Sequence, residues 1–426
     1  MIIDFPNKDD YFWKVNFYNI TLDDKKVNFP YVALMNRNSG LIVNYPAFER
    51  WLFDFSSTMP SQSAMKKHAY TLTDFLNYIL KNTECKTLAD ISLTDIRNFI
   101  ASYRIKANGE NRDPSSWGRG VLSIYTFLGN YYRYNKNLKF NYCPSDFIET
   151  RVIHDYENNK KLIVNSSKNL GVRVPEKHNK KNRVLLPGYL DLFIEECKRY
   201  DPMLAFAVAL QAYGGLREGE VVNVSRNSIS TMYGGFGRIT DVVVNLSDET
   251  SYAKNYVGKT DFGSIKRYRE QKIYQDFIPA ISDLRDYHDR LLCEYGLPTD
   301  KDSPLFWNRQ GRPMTVSTYT AHVKDLFYEH FLPDLKRICE SENLWATNAP
   351  YIEAYENAYP GAHMFRHWFT MYLITQTDLK AEEISKWRGD KNLLSMADYL
   401  HVYSNVVDCY KNSVFRFQKT MLEEIL

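Results

Sequence analysis

The spacing of apolar residues most constrains the fold, because helical periodicity runs through two long stretches of the chain. The first stretch has apolar residues close to the i, i+3, i+4, i+7 spacing of an amphipathic helix, at Leu72, Phe75, Leu76, Ile79 and Leu80. The second contains a nearly all-apolar run at 203–212, which predicts a buried helix. A Val-rich run at 242–244 predicts strands between later helices. We therefore predict a mainly α protein with a small antiparallel β-sheet.

The length of 426 residues predicts two or three domains. Periodicity changes near residue 46, is lost after 137 and returns after 185. The predicted divisions are an irregular or short-stranded N-terminal segment (1–45), a helical domain (46–137), a linker (138–185) and a larger domain (186–426). Within the larger domain, two or three strands are expected between 237 and 278, and a long loop at 348–361.

The predicted linker is basic, with five basic residues and one acidic residue in 173–183. Such a run is either a solvated tether or a strap that lies along phosphates. On the second interpretation Lys177, Lys180, Lys181 and Arg183 bind DNA.

Composition excludes several classes of protein but selects none. The N-terminus lacks a basic region followed by an apolar one, and no run of about 18 apolar residues occurs, so neither secretion nor membrane spanning is expected. Six cysteines are scattered without a C-x-x-C pair, which predicts no zinc site or disulfide framework and favours a reducing cytoplasm. The net charge of +3 neither requires nor excludes a nucleic-acid partner.

The first motif of chemical interest is Ala-Tyr-Gly-Gly-Leu-Arg-Glu-Gly-Glu at 212–220. A helix is expected to end at the glycines, and the chain then re-enters a helix with Arg217 in its first turn. Backbone N–H groups and a guanidinium can converge there on an anion. The alternative is a glycine cap followed by a surface arginine.

The second motif is His-Met-Phe-Arg-His at 363–367. On a helix, His363 and Arg366 share a face, with His367 one turn beyond His363. A zinc site of the H-E-x-x-H type would need a glutamate that is absent here. An imidazole beside a guanidinium suits a phosphate, because one relays a proton and the other clamps the anion.

Two further signals are a lysine at an expected hairpin turn, Lys259, and a tyrosine near the end of a short amphipathic helix, Tyr399. With 32 tyrosines in the chain, being a tyrosine is no argument for a nucleophile. The order along the sequence and the spacing carry the argument instead.

Together these motifs resemble the tyrosine recombinase, or phage integrase, family. The resemblance rests on GLRxxE at 215–220, HxxRH at 363–367, and Tyr399 followed by Leu400-His401, with Arg366 lying 33 residues before Tyr399. The 46–137 segment looks like the family's core-binding domain, and 186–426 looks like its DNA breaking-rejoining catalytic domain.

The resemblance implies site-specific recombination by an integrase of a mobile element, with a homotetramer acting on two DNA duplexes. Arg217 and Arg366 would hold the non-bridging phosphate oxygens. Tyr399 would attack, with its pKa lowered from about 10 by the cationic pocket. His363 would act as acid and base, and Lys259 would protonate the departing 5′ oxygen. The 3′-phosphotyrosine conserves the bond energy, so neither ATP nor a metal is expected.

Several alternatives stay open. The position that holds a His or Trp donor in the family is Asp390 here; we expect its carboxylate to turn away and cap a helix beginning near Lys391, with Trp387 or Lys391 as the donor. Lys266 is the alternative to Lys259, and Tyr403 is the rival of Tyr399.

The function also has rivals. A type IB topoisomerase shares the catalytic residues but exchanges no strands, and a DNA-binding relative that has lost catalysis would explain Asp390.

Overall fold

The computed structural model describes residues 8–22, 25–53, 62–155, 160–176, 185, 187–235, 239–247, 265, 267–342 and 344–390. The chain divides into two compact units, 1–180 and 181–426. In the described residues of each unit, more residues lie in helices than in strands, and every sheet is antiparallel with two or three strands. The predicted fold class is thus confirmed. None of the described helices combines the length and apolarity that crossing a membrane requires.

The first unit starts with a three-stranded sheet in the order β1-β2-β3 and continues through helices to a second hairpin, β4-β5. The strands are β1 (Tyr11–Leu22), β2 (Lys25–Asn36), β3 (Ile42–Asn44), β4 (Ile148–Asp155) and β5 (Lys160–Ser167). The helices are α1 (Glu49–Leu52), α2 (Gln62–Asn82), α3 (Leu93–Ser102), α4 (Pro114–Tyr134) and α5 (Pro144–Phe147).

This unit differs from expectation at both ends. Strands β1 and β2 have 12 residues each, so the N-terminal segment is more regular than the sequence suggested. The range 138–185, predicted to be a linker, contains α5 and the β4-β5 hairpin. The four candidate DNA-binding residues between 177 and 183 lie outside the described residues. The domain boundaries stay a prediction.

Local chemistry explains how the first unit is held together. Ser92 begins α3 through a capping box, in which its Oγ accepts the N–H of Asp95 (3.2 Å) and the Asp95 carboxylate accepts the N–H of Ser92 (2.9 Å). Asn77 of α2 accepts the N–H of Trp13 (2.8 Å) and donates to its carbonyl (2.9 Å). The sheet and the helices therefore share one apolar core.

The second unit is mainly helical and contains one described sheet, in the order β6-β7-β8. The strands are β6 (Ile229–Tyr233), β7 (Ile239–Leu246) and β8 (Arg269–Lys272). The helices are α6 (Leu190–Tyr200), α7 (Pro202–Gly214), α8 (Glu218–Val221), α9 (Ile278–Glu294), α10 (Val316–Leu326), α11 (Leu332–Ser341), α12 (Trp345–Asn357), α13 (Met364–Gln376) and α14 (Ala381–Arg388). A π-helical stretch, Phe327–Phe331, joins α10 to α11.

Helix α7 is central to this unit. Every residue from Met203 to Gly214 is buried, as the apolar run predicted, and α7 packs against α6, α9 and α13. A helix apolar on all sides is stable only when neighbours cover it all round. The core therefore fixes the end of α7, where the candidate site begins.

The prediction of a long loop at 348–361 is largely wrong, because α12 extends from Trp345 to Asn357. Pro350 suggested a break, since proline removes one intrahelical donor. Ile352 and Tyr355 are buried in the core, and this packing holds the helix despite Pro350.

Candidate active site

The turn between α7 and α8 brings the first motif into position. Gly215 has a left-handed backbone (φ +62°), and a Cβ there would lie 2.4 Å from the Phe369 ring of α13. Only glycine meets both the conformation and the close approach. The chain can thus pass directly against α13, and the Gly215 carbonyl accepts a hydrogen bond from Arg366 Nη1.

Arg217 immediately precedes the single turn of α8, whereas the sequence placed it within the first turn of that helix. Its backbone N–H donates to Glu220 Oε2 (3.0 Å), and its Nη1 donates to Glu220 Oε1 (2.9 Å). The backbone N–H at the start of α8, which we expected to face an external anion, therefore donates to Glu220 instead. The guanidinium is left with Nη2 directed elsewhere, 2.8 Å from the carboxylate of Asp390.

Glu220 anchors a second arginine, which sequence reasoning missed. Arg269 of β8 places Nη1 3.0 Å from Oε1 and Nη2 3.0 Å from Oε2 of this carboxylate. The Glu220 side chain is completely buried. Burial opposes its ionisation, but the hydrogen bond and charge of Arg269, together with Arg217, outweigh that effect and lower the pKa of Glu220. Glu220 is therefore a charged clamp between β8 and α8.

Arg366 lies in α13 with its side chain only 1% exposed. Besides the bond to Gly215, its Nη2 donates to the Arg388 carbonyl (2.7 Å) and to Asp390 Oδ1 (2.8 Å). Burial and the neighbouring charges of Arg217 and Arg388 lower the pKa of Arg366 to about 9. The guanidinium is still charged at neutral pH, and its charge needs an anion beside it.

Asp390 supplies that anion. Its Oδ1 lies 2.8 Å from Nη2 of both Arg217 and Arg366, and its Oδ2 lies 3.2 Å from Nε of Arg388. The expectation that this carboxylate turns away is wrong. The physical reason is that the buried guanidinium of Arg366 and the partly buried guanidinium of Arg217 converge there, and a buried charge is stable only when it is paired.

The backbone around Asp390 also favours this orientation. Gly389 ends α14 in the left-handed conformation (φ +64°) and turns the chain back. The Asp390 N–H donates to the Ser385 carbonyl (3.0 Å), and the Asp390 carbonyl accepts from Arg267 Nη1 (3.0 Å).

Of the two proposed substitute donors, only Trp387 is described, and its ring packs edge-on against Tyr274 at 5.2 Å between centroids. Lys391 lies outside the described residues.

His363 stands at the start of α13, next to the first motif. Its Nδ1 lies 3.7 Å from Glu218 Oε1 in α8, and about a third of its side chain is exposed. Its ring meets that of His367 edge to face, with centroids 4.9 Å apart. The described residues contain no group of three or more His, Cys, Asp or Glu side chains that would hold a metal ion.

The structure therefore brings together three of the predicted site residues, Arg217, His363 and Arg366. The others lie outside the described residues: Lys259 and its alternative Lys266, and Tyr399 and its rival Tyr403. Arg269 and Arg388 were missed; no motif marks Arg269, and the only signal for Arg388 was its position two residues before Asp390. Glu220 was visible only as the last letter of GLRxxE.

Arg217 and Arg366 form a fork, with their two Nη2 atoms directed at Oδ1 of Asp390. The four guanidinium groups of Arg217, Arg269, Arg366 and Arg388 exceed the two carboxylates of Glu220 and Asp390 by two positive charges. Oδ1 of Asp390 stands where an oxygen of an external anion would be held by two arginines at once. Such charge-assisted bonds from two guanidinium groups are typical of sites that bind phosphate.

No protein-family profile and no curated protein matches the sequence. Solved structures similar to this chain include the XerH site-specific recombinase bound to palindromic difH substrate (15% identity, 80% of this chain and 77% of that chain, TM-score 0.48). They also include the Tn1549 transposon integrase with circular intermediate DNA (15%, 78% and 88%, TM-score 0.44). A third is a lambda integrase dimer bound to a COC′ core site (10%, 81% and 94%, TM-score 0.47). These three structures are of one site-specific recombinase and two integrases.

Proposed function

We propose that this protein is an integrase-like site-specific DNA recombinase that cuts and rejoins DNA through a 3′-phosphotyrosine. The observation that carries the proposal is the fork itself, in which Arg217 and Arg366 point their Nη2 atoms at a single anionic oxygen, each at 2.8 Å. A non-bridging oxygen of a phosphodiester is an anion of this kind. Two positive charges facing it would stabilise the extra negative charge of a pentavalent phosphorane.

The remaining steps follow from the sequence motifs. The Tyr399 oxygen attacks the phosphorus and forms the Tyr–O–P bond, while the bond from phosphorus to the 5′ oxygen breaks. His363, beside the first motif, takes up the phenolic proton, and Lys259 gives a proton to the 5′ oxygen. Religation is the reverse of these steps, so no external energy source enters the balance.

The partners follow from this chemistry. The substrate is double-stranded DNA, and a homotetramer on two duplexes provides four active sites for four strands. Lys177, Lys180, Lys181 and Arg183 would bind phosphates along the duplex. Cysteines that are free in the described residues fit a reducing, cytoplasmic location.

One observation favours a second candidate. Because Asp390 fills the fork, the chain also fits a DNA-binding relative that no longer cleaves. The two candidates differ in whether any form of the protein becomes covalently attached to DNA.

The decisive experiment is adduct formation on nicked suicide substrates, which trap the cleaved strand on the protein. Pools of duplexes from the DNA that flanks the gene supply the target. We expect a denaturation-resistant protein–DNA band with the wild type, and none with Tyr399→Phe, because the phenolic oxygen is the attacking atom. DNA binding should persist in this variant.

Tyr403→Phe is the matched control and should still form the adduct. Loss of the adduct in Tyr403→Phe but not in Tyr399→Phe would transfer the nucleophile to Tyr403. No adduct with any variant would support the non-cleaving relative. Strand exchange between two labelled duplexes then separates a recombinase from a topoisomerase.

A further inference from the structure

The carboxylate of Asp390 occupies the position that an incoming anion needs. Its Oδ1 receives Nη2 of Arg217 and Nη2 of Arg366, both at 2.8 Å. Carboxylate and phosphate oxygens use the same guanidinium donors with similar geometry. We propose that Asp390 is an internal competitor for the phosphate, so that the fork opens only when this carboxylate leaves. This inference rests on the proposed function for its ligand, but not for its geometry.

Because the Arg366 side chain is buried, an external anion cannot bind it while Asp390 stays in place. The Arg366 side chain is 1% exposed, and its Nη1 is committed to the Gly215 carbonyl. Its Nη2 is shared between the Arg388 carbonyl and Asp390. An external oxygen therefore reaches Arg366 at the place where Asp390 Oδ1 lies.

Arg217 has the same arrangement but is more accessible. Its Nη1 is held by the buried Glu220, and its Nη2 by Asp390, with 19% of the side chain exposed. An anion can first meet Arg217 and then displace Asp390 from both guanidinium groups. The order of events is contact at Arg217 followed by exchange at Arg366.

The displaced carboxylate has a second partner nearby. Oδ2 of Asp390 already lies 3.2 Å from Nε of Arg388, a side chain that is 4% exposed. Rotation about the side-chain torsions can keep this contact while freeing Nη2 of Arg217 and Arg366. Because the four arginines exceed the two carboxylates by two charges, the cluster can hold a phosphate and the displaced carboxylate together.

The first test measures anion binding without any catalysis. Purified full-length protein is titrated with sodium sulfate against sodium chloride at equal ionic strength, and the thermal midpoint reports the sulfate affinity. Asp390→Asn should bind sulfate about ten- to a hundredfold more tightly than wild type, since each tenfold change corresponds to the loss of a modest ion pair. Asp390→Glu keeps the charge and should bind like the wild type.

Two controls locate the effect. Asp378→Asn makes the same charge change at an exposed position and should leave sulfate affinity unchanged. Arg217→Gln in the Asp390→Asn background should abolish the gain, because half of the fork is missing. If Asp390→Asn is too unstable to purify, Asp390→Ala removes the same charge and serves in its place.

The second test is the single-turnover rate of adduct formation, which should rise at least about tenfold in Asp390→Asn. Equal sulfate affinity in the wild type and the charge-removing variants overturns the inference, as does a gain that survives Arg217→Gln. If Asp390→Asn binds sulfate more tightly than the wild type but forms no adduct, the inference about Asp390 stands and only the proposed function is contradicted. A slower adduct together with unchanged sulfate affinity would make Asp390 a residue that positions the arginines.

Discussion

Replacing Glu220 by glutamine tests how the arginine cluster is held. The carboxylate is completely buried, with four contacts at 2.9–3.0 Å to Arg217 and Arg269. At 3 Å and an effective dielectric near 20, the Coulomb attraction of each ion pair is at most about 5.5 kcal/mol, and desolvation of the carboxylate offsets part of this. Breaking a buried pair from one side costs about 3–5 kcal/mol, so we expect Glu220→Gln to lose about 4 kcal/mol of unfolding free energy.

The assay is urea and thermal unfolding of the full-length protein. For a unit of 246 residues (181–426), a loss of this size lowers the midpoint by roughly 10 °C. The matched control is Glu294→Gln, which removes the same charge from an exposed position at the end of α9 and should change stability by less than about 0.5 kcal/mol. A loss below about 1 kcal/mol in Glu220→Gln would refute the reasoning.

A double-mutant cycle makes the argument specific. If Glu220 acts as a clamp on Arg269, then Glu220→Gln and Arg269→Gln together should cost much less than the sum of the single changes. Additive losses would mean that the two side chains stabilise the unit independently, which would contradict the role that we assign to the contacts between them.

Two further predictions concern the framework of the second unit. Gly215→Ala should lose more than about 2 kcal/mol of unfolding free energy, measured by thermal unfolding, because it adds a clash with Phe369 to the strain of φ +62°. The control Gly296→Ala, with φ +61° and open space around it, should lose only about 1 kcal/mol. Equal losses in the two variants would exclude the clash. Burial lowers the pKa of His288 from 6.5 to about 4, while its Nε2 donates to the Leu305 carbonyl (2.8 Å). Stability present above pH 6.5 should therefore fall by about 3 kcal/mol as pH drops toward 4, and a His288→Gln variant that shows the same fall would contradict this.

Much of this fold could be predicted from local sequence. The apolar run of α7 required burial on all sides, and Ser92 with Asp95 specified the start of α3. The extent of strand β1 was harder to predict. Buried Trp13 and Val15 alternate with exposed Lys14, but they are followed in the strand by residues that are partly or wholly exposed, whether polar or apolar. Pairing with β2 along its whole length, rather than pattern alone, determines the extent of that strand.

The candidate site divides in the same way. Arg217 and Arg366 could be placed together because the family that their motifs resemble uses both arginines on one phosphate. The direction of Asp390 depends on charges that lie far away in sequence, since Arg217 is 173 residues earlier. It also depends on a left-handed Gly389 against which Arg269 packs closely. Balances of charge between distant segments are not encoded in any local pattern.

The main chain of Asp390 is fixed at both of its polar groups, by Ser385 and by Arg267. The carboxylate therefore moves only through its own two torsions, and it is always present at the fork at the same effective concentration. Diluting the protein reduces how often DNA is bound, but it does not reduce how often the carboxylate returns. Such a tethered group slows cleavage within the bound complex by a constant factor, and a higher DNA concentration does not restore the rate. Its influence would appear in the rate at saturation, with no lag phase, because side-chain rotation is far faster than phosphoryl transfer.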